Sequence, residues 1–158
     1  MQALGPKQWR CQHCDFCYFH NTASTAGALI MHQQELLLVE RAIEPQKGHW
    51  DLPGGFIEYN ESLEQGLARE LKEELNLDIQ PEQFNYFGSF ANQYCYQNVL
   101  YHTCDSFFIY CPSSKPALEA KDDIASWQWH PLSRLPLDKV AFSSVLQGLK
   151  KLIQQTKP

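Results

Sequence analysis

Apolar positions follow two rhythms along this chain. Over residues 25–31 and 35–40 they run together on either side of His32-Gln33-Gln34, which predicts a β-hairpin. Leu36, Leu37, Leu38 and Val39 in succession predict a strand covered on both faces. Residues 84–90 and 99–110 read as further strands, the second long enough to cross a sheet, and Trp127-Gln128-Trp129 alternates like a short one. Between the two longer runs, the stretch ANQYCYQN is polar and aromatic without a strict period. A helical period takes over at Leu63, Leu67, Leu71 and Leu75 and again at Val145, Leu146, Leu149, Leu152 and Ile153. It predicts one helix starting near Ser62 and another over residues 143–155. Residues 43–49, with Pro45 and Gly48, read as a loop; residues 112–117 as a turn region; and residues 131–138 as a proline-punctuated linker. Strands interleaved with two helices predict an α/β fold with a mixed sheet sandwiched between helices. The pattern alone does not choose that arrangement over other α/β folds.

The charges on the first helix change the picture. Glu70, Glu73 and Glu74 stand at i, i+3 and i+4 and share a face. At about 100° per residue the four leucines form a stripe, and Gln65, Arg69, Lys72 and Asn76 cluster opposite it, where solvent is expected. Glu74 falls inside the leucine stripe, Glu70 on its border and Glu73 outside its edge. Carboxylates leaning towards a core are costly unless paired or bound to a cation, and three within one turn repel one another. A hard divalent cation relieves both penalties, and Mg²⁺ is the usual choice where phosphates complete the shell. The plainer alternative is a surface helix laced with ion pairs such as Arg69 to Glu73. The preceding HWDLPGGF weighs against it, because its proline-set turn and two glycines let backbone come close to a ligand.

From Gly55 to Leu77 the fixed residues run Gly55-x5-Glu61-x7-Arg69-Glu70-Leu71-x-Glu73-Glu74-x-Asn76-Leu77. This resembles the Nudix box, G-x5-E-x7-R-E-U-x-E-E-x-G-U, where U is bulky and aliphatic. Asn76 alone departs, standing where the family has glycine. That glycine ends the helix at a left-handed position, where asparagine is the next best tolerated residue, so the departure concerns helix termination more than chemistry. The resemblance implies a Nudix-type α/β/α sandwich and hydrolysis of a diphosphate linkage. It implies Glu70, Glu73 and Glu74 as ligands for Mg²⁺ or Mn²⁺, helped by the backbone carbonyl of Gly54. Arg69 would orient the glutamates by pairing with Glu73. Glu61 would hold the loop or a metal-bound water, or else cap the helix near its N-terminus. Among the catalytic residues, Glu70, Glu73 and Arg69 come from the box. The general base comes either from a box glutamate or from the charged loop before Trp127, where Glu119, Asp122 and Asp123 are the candidates. A solvated charge run is the bland reading of that loop.

Composition sets the limits. The 158 residues suit one domain with a sizeable core. A net charge of −5 with no basic stripe argues against a nucleic-acid polymer as partner, though not against a small anionic substrate that meets a bound metal. No apolar run reaches membrane-spanning length and no charged-then-apolar leader opens the chain, so the expectation is a cytoplasmic protein without a membrane partner. A homodimer is allowed. Six cysteines stand at 11, 14, 17, 95, 104 and 111, a spacing unlike a secreted disulfide framework. Cys11-x2-Cys14 has zinc-knuckle spacing, with Cys17 and His20 nearby, but no second C-x2-C follows. Cys11 to Asn21 resembles half of the two-knuckle zinc ribbon that precedes the catalytic domain in NADH-cleaving Nudix members. The chain accordingly divides into a cysteine-rich arm, 1–22, able to take Zn²⁺ at Cys11 and Cys14, and a hydrolase domain, 23–158.

Substrate identity is less legible. The family cleaves a nucleoside diphosphate linked to another moiety, of the ADP-ribose, NADH or nucleotide-sugar type. The SQPWPFPxS array of NADH-cleaving members is missing from FGSFANQYCYQN, and so is the downstream proline common in ADP-ribose-cleaving ones. Phe90, Tyr94, Tyr96 and Tyr101 are aromatics that could stack a base, or simply fill a core. A house-cleaning nucleoside triphosphate pyrophosphohydrolase is the alternative, and a non-catalytic nucleotide sensor a further one. A sensor would be expected to lose box glutamates, which this chain has kept.

Overall fold

The structure, a computed structural model, describes residues 1–156; the last two positions of the expected domain, 157 and 158, lie outside them. The arm folds as three short antiparallel strands, β1 (Gln2–Gly5), β2 (Gln8–Arg10) and β3 (Cys17–Phe19), in a sheet of their own. The remainder builds a seven-stranded mixed sheet from β4 (Ala23–His32), β5 (Glu35–Arg41), β6 (Trp50–Asp51), β7 (Gly54–Phe56), β8 (Asn85–Tyr96), β9 (Val99–Tyr110) and β10 (Ile124–Pro131). Helices α1 (Leu63–Leu75) and α2 (Ser143–Thr156) cover its two faces, each over a separate apolar cluster. The α/β sandwich expected from the chain is therefore the fold.

The hairpin expected at His32-Gln33-Gln34 forms, but its strands part almost at once. Only Met31 with Leu36 and His32 with Glu35 pair; beyond them β4 takes β7 and, in parallel, β9, while β5 takes β6 and β10. This splay opens a cleft inside the sheet. Leu36 to Val39 are buried, as a run of four apolar residues requires for a strand packed on both sides. ANQYCYQN, which shows no period, is the outer half of a long hairpin. β8 runs to Tyr96 and turns back through Gln97-Asn98, both at positive φ, the geometry of a tight two-residue turn. The proline-rich linker holds two single 3₁₀ turns, Leu132–Arg134 and Leu137–Lys139.

Helix α1 begins with a capping box: Ser62 Oγ accepts from Gln65 N, and Gln65 Oε1 accepts from Ser62 N. The capping role considered for Glu61 thus belongs to Ser62, whose short side chain reaches the exposed N–H groups directly. At the other end Asn76 adopts φ 54 and ψ 28, left-handed, and its N–H bonds back to Leu71 and Lys72. The box departure is accommodated in the conformation that a glycine would take. Two further carbonyls of this helix end, those of Leu75 and Glu74, accept N–H groups from Glu119 and Lys121. The charged loop is fastened to the helix terminus by its backbone.

Candidate active site

Leu67, Leu71 and Leu75 are fully buried against the sheet and fix the roll of α1. The same roll carries Glu70 and Glu74 to a cavity of about 230 Å³ in the splay between β4 and β5. Glu70, Glu74, Asp51, Asp105 and Asp123 all line it, and Arg41 is its lining cation. Gly54 and Gly55 form the wall facing the helix. Gly54 sits at φ +138, and a Cβ there would strike the Ala26 carbonyl; a Cβ on Gly55 would lie 2.6 Å from the Glu70 carboxyl carbon. Only glycine lets this strand lie flat against both β4 and the helix carboxylates. Gly54 N donates to Glu74 Oε2 at 2.9 Å, which aims that carboxylate at the cavity wall.

Arg69 departs from its place on the wheel. Rather than reaching into solvent with Gln65 and Lys72, it curls over the acidic face and makes five hydrogen bonds, the number its guanidinium can donate. Two go to Glu61, at 2.7 and 3.0 Å, one each to Glu70 (2.8 Å) and Glu73 (3.1 Å), and one to the Phe56 carbonyl. The pairing with Glu73 is present, but the two-pronged contact is with Glu61, which also accepts the Glu58 N–H at 3.0 Å. Glu61 therefore holds the loop to the helix through Arg69, and Arg69 hydrogen bonding keeps its carboxyl below the usual range.

The acids are electrostatically crowded. Burial raises the Glu74 carboxyl to about 8, against the Gly54 N–H and helped by the charges of Glu70, Asp51 and Asp123. Burial also raises Asp51 to about 6 despite its ion pair with Arg41 at 3.1 Å. Glu70 is raised by burial, with Arg69 opposing. Several carboxylates around one cavity form a donor set suited to a hard divalent cation. Among the described residues no three His, Cys, Asp or Glu side chains yet converge as ligands. The reason is visible: Arg69 holds Glu70 and Glu73, and Gly54 N holds Glu74.

Of the residues anticipated for the site, Glu70, Glu74, Gly54 and Asp123 come together at the cavity. Glu73 lies at its rim, half exposed and tied to Arg69. Glu119 lies apart: its side chain is exposed, paired with Lys121 at 3.1 Å, and outside the cavity lining. Of the aromatics, Tyr94 lines the cavity beside Phe56 and Phe142, whereas Phe90 packs on Phe107, Tyr96 is exposed in the outer hairpin and Tyr101 meets His20. Sequence reading missed Asp51, Asp105, Thr103 and Arg41. Asp51 adjoins the box, but an aspartate before a proline-glycine turn carries no signal of its own. The others reach the cavity only through strand pairing.

Comparison with known proteins agrees with this geometry. The model of the NUDIX domain matches residues 21–146. An ADP-ribose pyrophosphatase of Methanocaldococcus jannaschii is 40% identical over 60 residues, 38% of this chain and 35% of that protein. An 8-oxo-dGTP diphosphatase of Proteus vulgaris is 36% identical over 55 residues, 34% of this chain and 49% of that protein. Among solved structures, the NUDIX domain of Shewanella oneidensis NrtR complexed with ADP ribose superposes with a TM-score of 0.69 at 25% identity, covering 88% of this chain and 91% of that one. The matched part spans about a third of the length of the first curated relatives. With the family model covering most of its length and the box set against an acidic cavity, this chain belongs to the Nudix family.

Proposed function

We propose that this protein hydrolyses a diphosphate linkage in a nucleoside diphosphate joined to a second moiety, with Mg²⁺ or Mn²⁺. The observation that carries the reading is the Glu70–Glu74 pair turned into a cavity already crowded with carboxylates. Glu70, Glu74 and the Gly54 carbonyl, with Glu73 once freed from Arg69, are the proposed ligands. A divalent cation held there would offset charge growing on phosphate oxygens and make an attacking water more acidic. Arg69 keeps the carboxylates in register, and Gly54 and Gly55 bring the backbone within reach of the diphosphate. The test is phosphate release from a panel of nucleoside diphosphate derivatives with either metal, beside Glu73→Gln. Turnover that the variant loses supports the reading; silence across the panel with nucleotide still bound favours the sensor.

Within this reading the proton acceptor is a box glutamate or an acid of the loop fastened to α1. Asp123 is the loop acid at the cavity, so Asp123→Asn is expected to lower kcat by roughly 10²-fold, while Glu119→Gln leaves it within a few-fold. A large loss in Glu119→Gln, with metal binding retained, would restore Glu119 as the base. The triphosphate alternative draws support from the diphosphatase relative of Proteus vulgaris and is read from the same panel. A cytoplasmic place of action goes with the six free thiols, which suit a reducing compartment. No helix among the described residues is long and apolar enough to cross a membrane.

Zinc in the arm is a separate proposal. It rests on the spacing of Cys11 and Cys14 in the turn between β2 and β3, where Cys11 Sγ accepts the His13 N–H at 3.5 Å. Hydrogen bonding, from His13 foremost, holds the Cys11 thiol below its usual range. Elemental analysis of protein purified without added zinc should find the metal, and Cys14→Ser should remove it. Its absence from the unaltered chain would sink the assignment.

A further inference from the structure

The two outer edges of the seven-stranded sheet are built differently. β10 is bulged between Ile124 and Ser126, ends in Pro131 and is led in by Lys121-Asp122-Asp123. Such bulges, prolines and charges keep an exposed strand edge from pairing with another chain. β8, at the opposite edge, is 12 residues long, and its one bulge lies near its start, between Tyr86 and Gly88. From Gly88 to Tyr96 its register with β9 is unbroken. From Asn85 to Cys104 the sequence holds no Asp, Glu, Lys, Arg or Pro, in a chain that is 20% charged. Among the described residues no strand pairs with the outer side of β8, whose backbone groups there are left to water.

Ser89, Ala91, Gln93 and Cys95 alternate along one side of β8, and all four are exposed. Beside them lies an open recess of about 550 Å³, bounded across from the strand by Pro45, Gln46 and Ser143. Asn92 and Phe142 line both this recess and the acidic cavity. Whatever lies along the edge therefore backs the wall of the candidate active site. At the hairpin tip Tyr96, Val99 and Leu100 are 42–47% exposed, and Tyr86 at the root is 61% exposed.

Charge selects the occupant. Each copy of the chain carries a net charge of −5, so two copies meet at least cost over a surface without acids. A strand of small, neutral side chains is also complementary to itself run antiparallel, since no like charges fall opposite one another. That orientation carries the apolar tip of each hairpin towards the exposed Tyr86 of the other. A foreign peptide would be told apart by charges or deep side-chain pockets, and β8 supplies no charge and only an open recess. We propose that two copies pair antiparallel through β8, about a two-fold axis near Asn92, the middle of the 89–95 stretch. The pairing joins their sheets and closes the outer side of each candidate active site. It is isologous, with the same patch used by both copies, and stands whether or not the chain turns over a substrate.

Size-exclusion chromatography with light scattering tests this on the full chain. A reductant keeps the exposed Cys95 and Cys104 from bridging copies covalently. In the micromolar range the intact protein should run at twice the chain mass. Ala91→Lys combined with Gln93→Lys sets like charges across the axis, and Ala91→Glu combined with Gln93→Glu does so with the opposite sign. Each double variant alone should run as a single chain. Both positions are exposed, so the variants should melt close to the unaltered protein. Mixed in equal amounts they should restore the two-chain species, because the lysines of one copy then face the glutamates of the other. An intact protein of single-chain mass throughout the micromolar range would overturn the proposal. So would a dimer that either double variant leaves whole, or a mixture that stays single.

Discussion

Glu74→Gln is expected to make the metal-free protein more stable at pH 7 and to abolish turnover. The sign follows from burial. With its carboxyl raised from 4.5 to about 8, folded Glu74 keeps a proton that the unfolded chain has lost throughout that window. The native state then binds more protons than the unfolded one, so this group's contribution is fully favourable below pH 4.5 and declines as pH rises towards 8. At pH 7 the difference is on the order of 3 kcal/mol, which a neutral glutamine avoids while still accepting the Gly54 N–H. Asp51 acts in the same direction between 3.8 and about 6. The loss in function runs the other way. Without an ionisable Glu74 the proposed cation site lacks a ligand, and kcat should fall by roughly 10³-fold or more. Thermal melts check both halves: Mg²⁺ or Mn²⁺ should raise the melting temperature of the unaltered protein, more at pH 8.5 than at 6.5, and leave Glu74→Gln unmoved. A variant that is less stable at pH 7 without metal, or still stabilised by metal, would contradict this account.

Arg69→Ala should cost activity by about 10- to 100-fold although Arg69 is not expected to touch substrate. Its guanidinium joins Glu61, Glu70, Glu73 and the Phe56 carbonyl, so removing it frees three carboxylates and detaches the glycine loop from the helix at one stroke. Lysine should rescue little, because a single ammonium cannot reproduce the planar two-pronged contact with Glu61. The useful readout is the metal dependence of turnover. The alanine variant should need a higher Mg²⁺ concentration for half-maximal rate, since its carboxylates are no longer held in register. A fall in kcat with unchanged metal dependence would instead place Arg69 in direct contact with the reacting group.

The comparison of chain and fold turns on particular residues. Leu63, Leu67, Leu71 and Leu75 announced both a helix and which of its sides is buried, and that was enough to turn Glu70 and Glu74 inward. Ser62 and Asn76 marked its ends in the same local way, through hydrogen bonds that span only a few residues. Arg69 was misplaced by the wheel because a long flexible side chain follows its partners rather than its Cα, and its main partner, Glu61, lies before the helix. Glu119 was a fair candidate on charge alone. Its loop is docked by backbone atoms, which leaves the side chain facing water beside Lys121.

What the sequence determined by itself is the box end of the molecule: box, helix and inward carboxylates all lie within a few turns of one another, so spacing along the chain is spacing in space. What only the tertiary structure decided is the cavity those carboxylates face. Its far wall comes from β9, which meets β4 in parallel, and parallel pairing across some 80 residues of chain leaves no local trace. Thr103 and Asp105 read as ordinary strand residues until that pairing and the splay of β4 from β5 set them beside an opening.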